Sequence, residues 1–276
     1  MGLRINTNVT SLSAQRSLGK VDQRQQSSLA KLSSGSRINK AGDDAAGLAI
    51  SEKLKANIRG SQQATRNAGD GISLIQTAEG GLSEVSNILV RLRELSVQAA
   101  SDTVGEQERR FSDLEFQNLV QEVDRIAAST QFNGKTLLNG EGDQLDFQIG
   151  IKNNPDHDRI AYNPSESNAS AVGIGIDGLS VLTKQDSQEN LEKVDEAINN
   201  VNANRAVLGA LQNRLQSTIS NLEVRTENLA AANSRIRDTD IASESAELAK
   251  TNILKTSGIS VLAQANNQTS AALKLI

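Results

Sequence analysis

From Val194 to Ile236 an apolar residue recurs at every seventh position: Val194, Val201, Leu208, Leu215, Leu222, Leu229 and Ile236. A seven-residue period held over that length suits one regular structure, a long helix packed against another helix. A second seam in the same heptads holds Leu191, Ile198, Arg205, Gln212, Ile219, Thr226 and Asn233, about half of them polar. Polar seam positions fix register at some cost in stability. Asp186 with Glu189 supplies a capping-box-like start. From there to Ile236 a helix spans roughly 75 Å at about 1.5 Å per residue.

A helix that long requires a partner, and the N-terminal arm offers one. Leu48, Ile58, Ile72, Ile75, Leu82, Val85, Ile88, Leu89, Leu92 and Leu95 mark a second long amphipathic helix, with glycines at 60, 69, 71, 80 and 81 expected to loosen it. A third helix, about 105–129, is expected to bury Phe111, Leu114, Leu119, Val123 and Ile126. Both prolines, Pro155 and Pro164, lie mid-chain, so neither arm carries the roughly 3 kcal/mol penalty of an interior proline. All five aromatics (Phe111, Phe116, Phe132, Phe147 and Tyr162) also lie in the middle. In the centre, 133–182, the period changes. LDFQIGI, RIAY and AVGIGIDGLSV alternate or run β-branched between Asn-Gly and Gly-Asp turn signals, which predicts one or two β-hairpins. The expected fold class is therefore mainly α: a long antiparallel helical bundle or coiled coil formed by the two arms, with a small β-hairpin region in the centre.

Both ends continue as weaker amphipathic helices. One carries Val9, Leu12, Leu18, Val21, Leu29 and Leu32, and the other Ile241, Leu248, Ile259, Leu262, Leu273 and Ile276. Single helices of this kind are marginal in water, and a pair still leaves apolar surface open to other copies. The stretch LSSGSRINKAGDDAAGLAISEKL joins these ends to the long helices. Gly35 can end the first helix in a left-handed cap, and Asp43 or Asp44 can start the next and complement its positive end. SRINKAG, with Arg37, then forms a spoke between two tiers.

The chemical readings fail one by one. The chain has no cysteine, which excludes disulfides and thiolate metal sites. The one histidine, His157, stands beside Asp156 and Asp158, but no second histidine completes a metal shell, so a surface loop is expected. GIGIDG, 173–178, matches G-x-G-x-x-G without the strand–turn–helix setting a dinucleotide site needs, so its glycines are assigned to tight hairpins. Asp43 and Asp44 lack a base network, no HExxH occurs, and no G-x-S-x-G elbow presents a serine to His157. The sequons at Asn8, Asn168 and Asn267 fit chance in an Asn/Ser/Thr-rich chain. No enzyme, cofactor or metal is expected.

The net charge of −4 is unevenly spread. Residues 1–43 hold seven basic and two acidic side chains, and residues 101–190 seven and sixteen. The basic residues are single and no aromatic lies among them, so nucleic acid is not an expected partner. No apolar run approaches the roughly 20 residues of a membrane span. The opening stretch has no apolar signal-peptide core, and Asn6 breaks the myristoylation pattern. Any export is expected to use a route that does not read such a signal.

Several long motifs resemble those of bacterial flagellins: RINTNVTSLSAQRSL near the start, LSSGSRINKAGDDAAGLAISEKL, VRLRELSVQAA at 90–100, STQFNGKTLLNG at 129–140 and SGISVLAQANNQ at 257–268. The resemblance covers both arms in order. It implies a structural subunit of the extracellular flagellar filament, used for swimming, exported unfolded through the flagellar type III channel and polymerised beneath a cap protein. It implies a terminal inner-tube domain (1–43 plus 239–276), packed through Leu12, Val21, Leu29, Leu248, Leu262 and Ile276, and an outer-tube domain (44–238) including the hairpin region. The inter-tier joint would comprise Gly35, Arg37, Asp43 and Asp44. Implied partners are other copies of the chain, an export chaperone, cap and junction proteins, and a flagellin-sensing Toll-like receptor. The receptor motif matches Arg91, Leu95 and Glu115, which equally suit contacts between neighbouring subunits. The centre is short for the family, so a smooth filament is expected. The chain ends AALKLI, without the family's common terminal arginine. Rival readings are a hook–filament junction protein and a non-polymerising coiled-coil adaptor.

Overall fold

The computed structural model describes residues 7–273, with side chains described through 267. Its helices are α1 (Val9–Ser34), α2 (Ala45–Ala99), α3 (Glu106–Ser129), α4 (Pro155–Asp158), α5 (Ala171–Ile174), α6 (Lys184–Arg237) and α7 (Ile241–Leu273). Its strands are β1 (Gln131–Phe132), β2 (Lys135–Thr136), β3 (Leu145–Gln148) and β4 (Arg159–Tyr162). They form two compact units: residues 1–57 with 228–276, and residues 58–227.

In unit 58–227, α2 and α6 run antiparallel, with α3 packed beside them. Val194, Val201, Leu208, Leu215 and Leu222 of the unbroken heptad seam are all buried. Opposite them lie Ile75, Leu82, Val85, Leu89, Leu92 and Leu95 of α2, each at most 2% exposed. Each such side chain contributes about 1.5–3 kcal/mol by leaving water. The half-polar seam sits at the margin of this core, where Arg205 pairs with Glu79 at 3.1 Å. The cap of α6 lies three residues before the Asp186 signal, because the Thr183 hydroxyl accepts from the Asp186 N–H at 3.1 Å.

The buried face of α3 differs from the sequence expectation. Phe116, Val120, Val123 and Ala127 are buried, whereas Phe111 and Leu114 are 64% and 63% exposed. This helix carries two overlapping apolar stripes, and periodicity alone does not choose between them.

The central segment forms two hairpins. β1 and β2 pair around Asn133 and Gly134, whose φ values of 49° and 78° require residues that tolerate the left-handed region. β3 and β4 pair antiparallel from Leu145↔Tyr162 to Gln148↔Arg159. The AVGIGIDGLSV stretch is not a strand. Ser170 caps a single helical turn, α5, which Gly175 ends at φ 79°. The GIGIDG glycines therefore serve a helix end and a turn, Gly178 at φ 70°, in place of a hairpin.

Three glycines of α2 let the central segment lie against the helix. A Cβ at Gly60 would stand 2.8 Å from Ile151, one at Gly71 3.1 Å from Phe147, and one at Gly81 2.7 Å from Leu138. Gly69 and Gly80 face open space. Two carboxylates of α3 fasten the segment from its other side. Asp113 accepts from the Val181 N–H at 2.9 Å and the Ser180 hydroxyl at 3.0 Å, and Asp124 accepts from the Ala171 N–H at 2.7 Å.

In the other unit α1 and α7 lie side by side. The Asn8 amide donates to the Ala265 carbonyl at 2.8 Å, Lys255 pairs with Asp22 at 2.9 Å, and Lys31 reaches Glu244 at 3.7 Å.

Candidate functional site

The terminal pair keeps much of its apolar surface in solvent. On α1, Val9, Leu12 and Leu29 are 64%, 51% and 48% exposed, and on α7 Ile253, Ile259 and Val261 are 66%, 50% and 59% exposed. Val21, Leu248 and Leu262 are half-buried between the helices. Ile276 lies outside the described residues. Between α1 and α7 runs a groove of about 480 Å³, whose wall includes Ala14, Leu18, Val21, Leu254 and Gly258. Two helices cannot close such a face, because each covers only the stripe turned toward the other.

The joint is built within this unit, and each of its residues has a separate task. Gly35 ends α1 at φ 68°, and its carbonyl accepts from the Thr239 N–H at 3.0 Å. Ser36 bridges antiparallel to Asp238. Arg37 donates its backbone N–H to the Arg237 carbonyl at 2.6 Å and its guanidinium to the Ile236 carbonyl at 2.6 Å. Its charge thus sits on the negative end of α6, where orphaned carbonyls need donors. Ile38 is 1% exposed. The Asp43 carboxylate accepts from the N–H groups of Lys40 and Asn39 at 2.9 and 3.0 Å. Those two donors hold its pKa below the ordinary carboxylate value, Lys40 first. Asp44 instead caps α2, its side chain accepting from the Gly47 N–H at 2.8 Å. Ser51 of α2 donates to Asn233 of α6 at 2.8 Å, which gives that polar seam residue its partner.

In the other unit Arg91 and Glu115 meet across α2 and α3 at 2.8 Å, and Glu94 completes the cluster at 2.9 Å from Arg91. Hydrogen bonds to both carboxylates raise the Arg91 pKa, that to Glu94 first and that to Glu115 next. Leu95 does not share that surface: it is 2% exposed and belongs to the core. It sits one helical turn from Arg91, in the buried row of α2 that also holds Leu89 and Leu92. Sequence reasoning missed the exposed Phe111 and Leu114, whose i,i+3 spacing on the outer side of α3 was the available signal. It also missed the Arg93–Asp195 pair at 2.6 Å, which no local pattern encodes.

His157 is exposed in α4, and no cluster of three metal-ligating side chains occurs among the described residues. No helix among them is long and apolar enough to cross a membrane.

Residues 5–143 match the bacterial flagellin N-terminal helical region, and residues 191–276 the bacterial flagellin C-terminal helical region. The chain is 46% identical over 272 residues to a flagellin of Halalkalibacterium halodurans, covering 99% of each chain. It is 42% identical to a flagellin of Bacillus subtilis, covering 99% of this chain and 100% of the other. It is 43% identical to a flagellar filament 33 kDa core protein of Treponema phagedenis, covering 99% of each. Among solved structures, Bacillus cereus flagellin is similar with a TM-score of 0.51 at 29% identity, over 61% of this chain and 94% of the other. A putative flagellar hook-associated protein of Vibrio parahaemolyticus shares the fold, with a TM-score of 0.59 at 14% identity over 71% of this chain and all of the other.

Proposed function

This chain belongs to the bacterial flagellin family, and from that membership we propose how its surfaces serve a filament. It is a structural subunit of the flagellar filament, part of the extracellular flagellum, and its family is one of structural proteins rather than enzymes. The observation that carries the assembly reading is the open apolar face of α1 and α7, with Val9 and Ile253 both about two-thirds exposed. A soluble monomer would hide that surface; a polymer buries it. In this proposal residues 1–43 and 239–276 form the inner tube and residues 44–238 the outer tube. Leu12, Val21, Leu29, Leu248 and Leu262 pack neighbouring terminal helices.

Subunits travel unfolded through the flagellar type III channel with an export chaperone and polymerise at the distal tip beneath a cap protein, with junction proteins as further partners. In the outer tube, Arg91 and Glu115, with the exposed Phe111 and Leu114 beside them on α3, contact the next subunit. Leu95 supports that surface from beneath. A flagellin-sensing Toll-like receptor would then read a surface that polymerisation covers.

The test is electron microscopy of purified full-length protein, with and without short sheared filament seeds. Long tubes growing from the seeds are the expected result. Failure to extend seeds under every assembly condition would overturn the filament reading in favour of a junction protein or a helical adaptor.

A further inference from the structure

The uneven charge noted in the sequence resolves onto the two units. Residues 1–57 and 228–276 hold 14 basic and 8 acidic side chains, while residues 58–227 hold 15 and 25. The first unit is therefore net positive and the second strongly negative. In the first, Arg16, Lys20 and Arg24 follow one another at i,i+4,i+8 on α1, all exposed. None makes an ion pair or hydrogen bond among the described residues; the cations of this unit that form ion pairs are Lys31, Arg237, Lys250 and Lys255, and Arg37 donates to the Ile236 carbonyl. At helical rise the row is about 12 Å long.

The second unit carries a row of matching length and opposite sign. Glu189, Glu192 and Glu196 lie at i,i+3,i+7 on α6, exposed, over about 10 Å. Asp186 extends the row by one turn, and Lys193 stands at its edge. Only Glu189 has a hydrogen bond, from Gln185 at 3.4 Å. The neighbouring Asp195 is already taken by Arg93. Both rows are thus free to find a counter-charge outside the chain.

We propose that Arg16, Lys20 and Arg24 of α1 dock on the Glu189–Glu192–Glu196 row of α6 in a second copy of this chain. The docked surfaces differ, so the contact is heterologous: every copy offers both halves, and the series continues rather than closing as a dimer. The contact also offsets the repulsion that gathering like-charged terminal units would create. Complementary rows of this kind act mainly on association rate and on rejection of wrong orientations. The proposal rests on the filament reading and adds an electrostatic step that the apolar faces do not supply.

The test is the rate of seeded elongation of the full chain at low and moderate salt. The triple variant Arg16→Glu/Lys20→Glu/Arg24→Glu and the triple variant Glu189→Lys/Glu192→Lys/Glu196→Lys should each slow elongation on seeds of their own kind by about tenfold or more at low salt. Combining all six changes should restore the rate to within about threefold of wild type, because the swapped rows again attract. Raising salt toward 0.3 M should slow wild type and narrow every difference, as the screening length falls below about 10 Å. A six-fold variant no faster than its parents would overturn the proposal, as would triple variants that elongate normally. Loss of elongation in the α1 variant alone would also overturn it, pointing to an acidic partner other than α6. Failure of the wild-type protein to elongate counts against the filament reading instead, so the two failures are distinguishable.

Discussion

Adjacent glycines on α2 should respond in opposite directions to the same methyl group. At Gly80 a Cβ meets nothing within 4 Å, so Gly80→Ala only improves helix propensity, by about 1 kcal/mol. At Gly81 the new Cβ would stand 2.7 Å from Leu138 Cδ1 and 2.7 Å from Thr130 Oγ1. Neither neighbour has room to yield. Leu138 is fully buried, and the Thr130 hydroxyl is held by donating to the Ile126 carbonyl at 2.7 Å. Overpacking of this kind costs about 1–3 kcal/mol, which outweighs the same propensity gain and leaves Gly81→Ala about 1 kcal/mol less stable than wild type. The two variants should differ by about 2 kcal/mol. In urea unfolding of the monomer, followed by far-UV circular dichroism, that separation moves the midpoints apart by about 1 M for a slope near 2 kcal/mol/M. A double-mutant cycle of Gly81→Ala with Leu138→Ala should show favourable coupling of about 1 kcal/mol, since truncating Leu138 vacates the space. Equal midpoints for Gly80→Ala and Gly81→Ala would refute the claim that Gly81 exists to admit the central segment.

Four further outcomes test the remaining structure. Asp113→Ala should cost about 1–3 kcal/mol by orphaning the Val181 N–H and Ser180 hydroxyl, with faster hydrogen exchange at Val181. Arg205→Leu should leave stability within about 1 kcal/mol of wild type or raise it, because it extends an apolar seam and removes only a half-exposed ion pair; a loss well beyond that in urea would contradict this. Leu95→Ala should lower the unfolding free energy by about 2–5 kcal/mol, whereas Arg91→Ala should barely change it. A recognition defect in Leu95→Ala therefore has to be read beside its circular dichroism. Asp43 has a folded pKa below its unfolded value of 3.8, so its stabilisation is present above that pH and disappears as pH falls through the depressed folded value. In filaments, wild type should protect the Asn39 and Lys40 amides from exchange better than Asp43→Asn at pH 6, and the two should converge only as pH falls through the depressed folded value.

The heptads of α6, the proline-free arms and the turn residues at Gly35, Asn133 and Gly134 were legible directly, because each depends on local backbone geometry or on a period. So was an aspartate cap at the start of α2, although which aspartate supplies it was not: Asp43 and Asp44 are equally good caps as residues, and only the path of the spoke turns Asp43 back onto Lys40. The apolar period of α3 likewise established a helix but left two faces available. The faces separate only when α3 packs, burying Phe116 and leaving Phe111 in solvent. The glycines of α2 looked alike in sequence, yet 60, 71 and 81 are close approaches while 69 and 80 are not. The β-branched run at 171–181 read as strand, and α3 overrides that propensity by supplying carboxylates to its backbone at Ala171 and Val181. The sequence by itself determined the long helices of both arms and the surplus of apolar surface at the chain ends. Tertiary structure decided which sides of those helices face each other, because a period records that a face is buried and carries no record of what buries it.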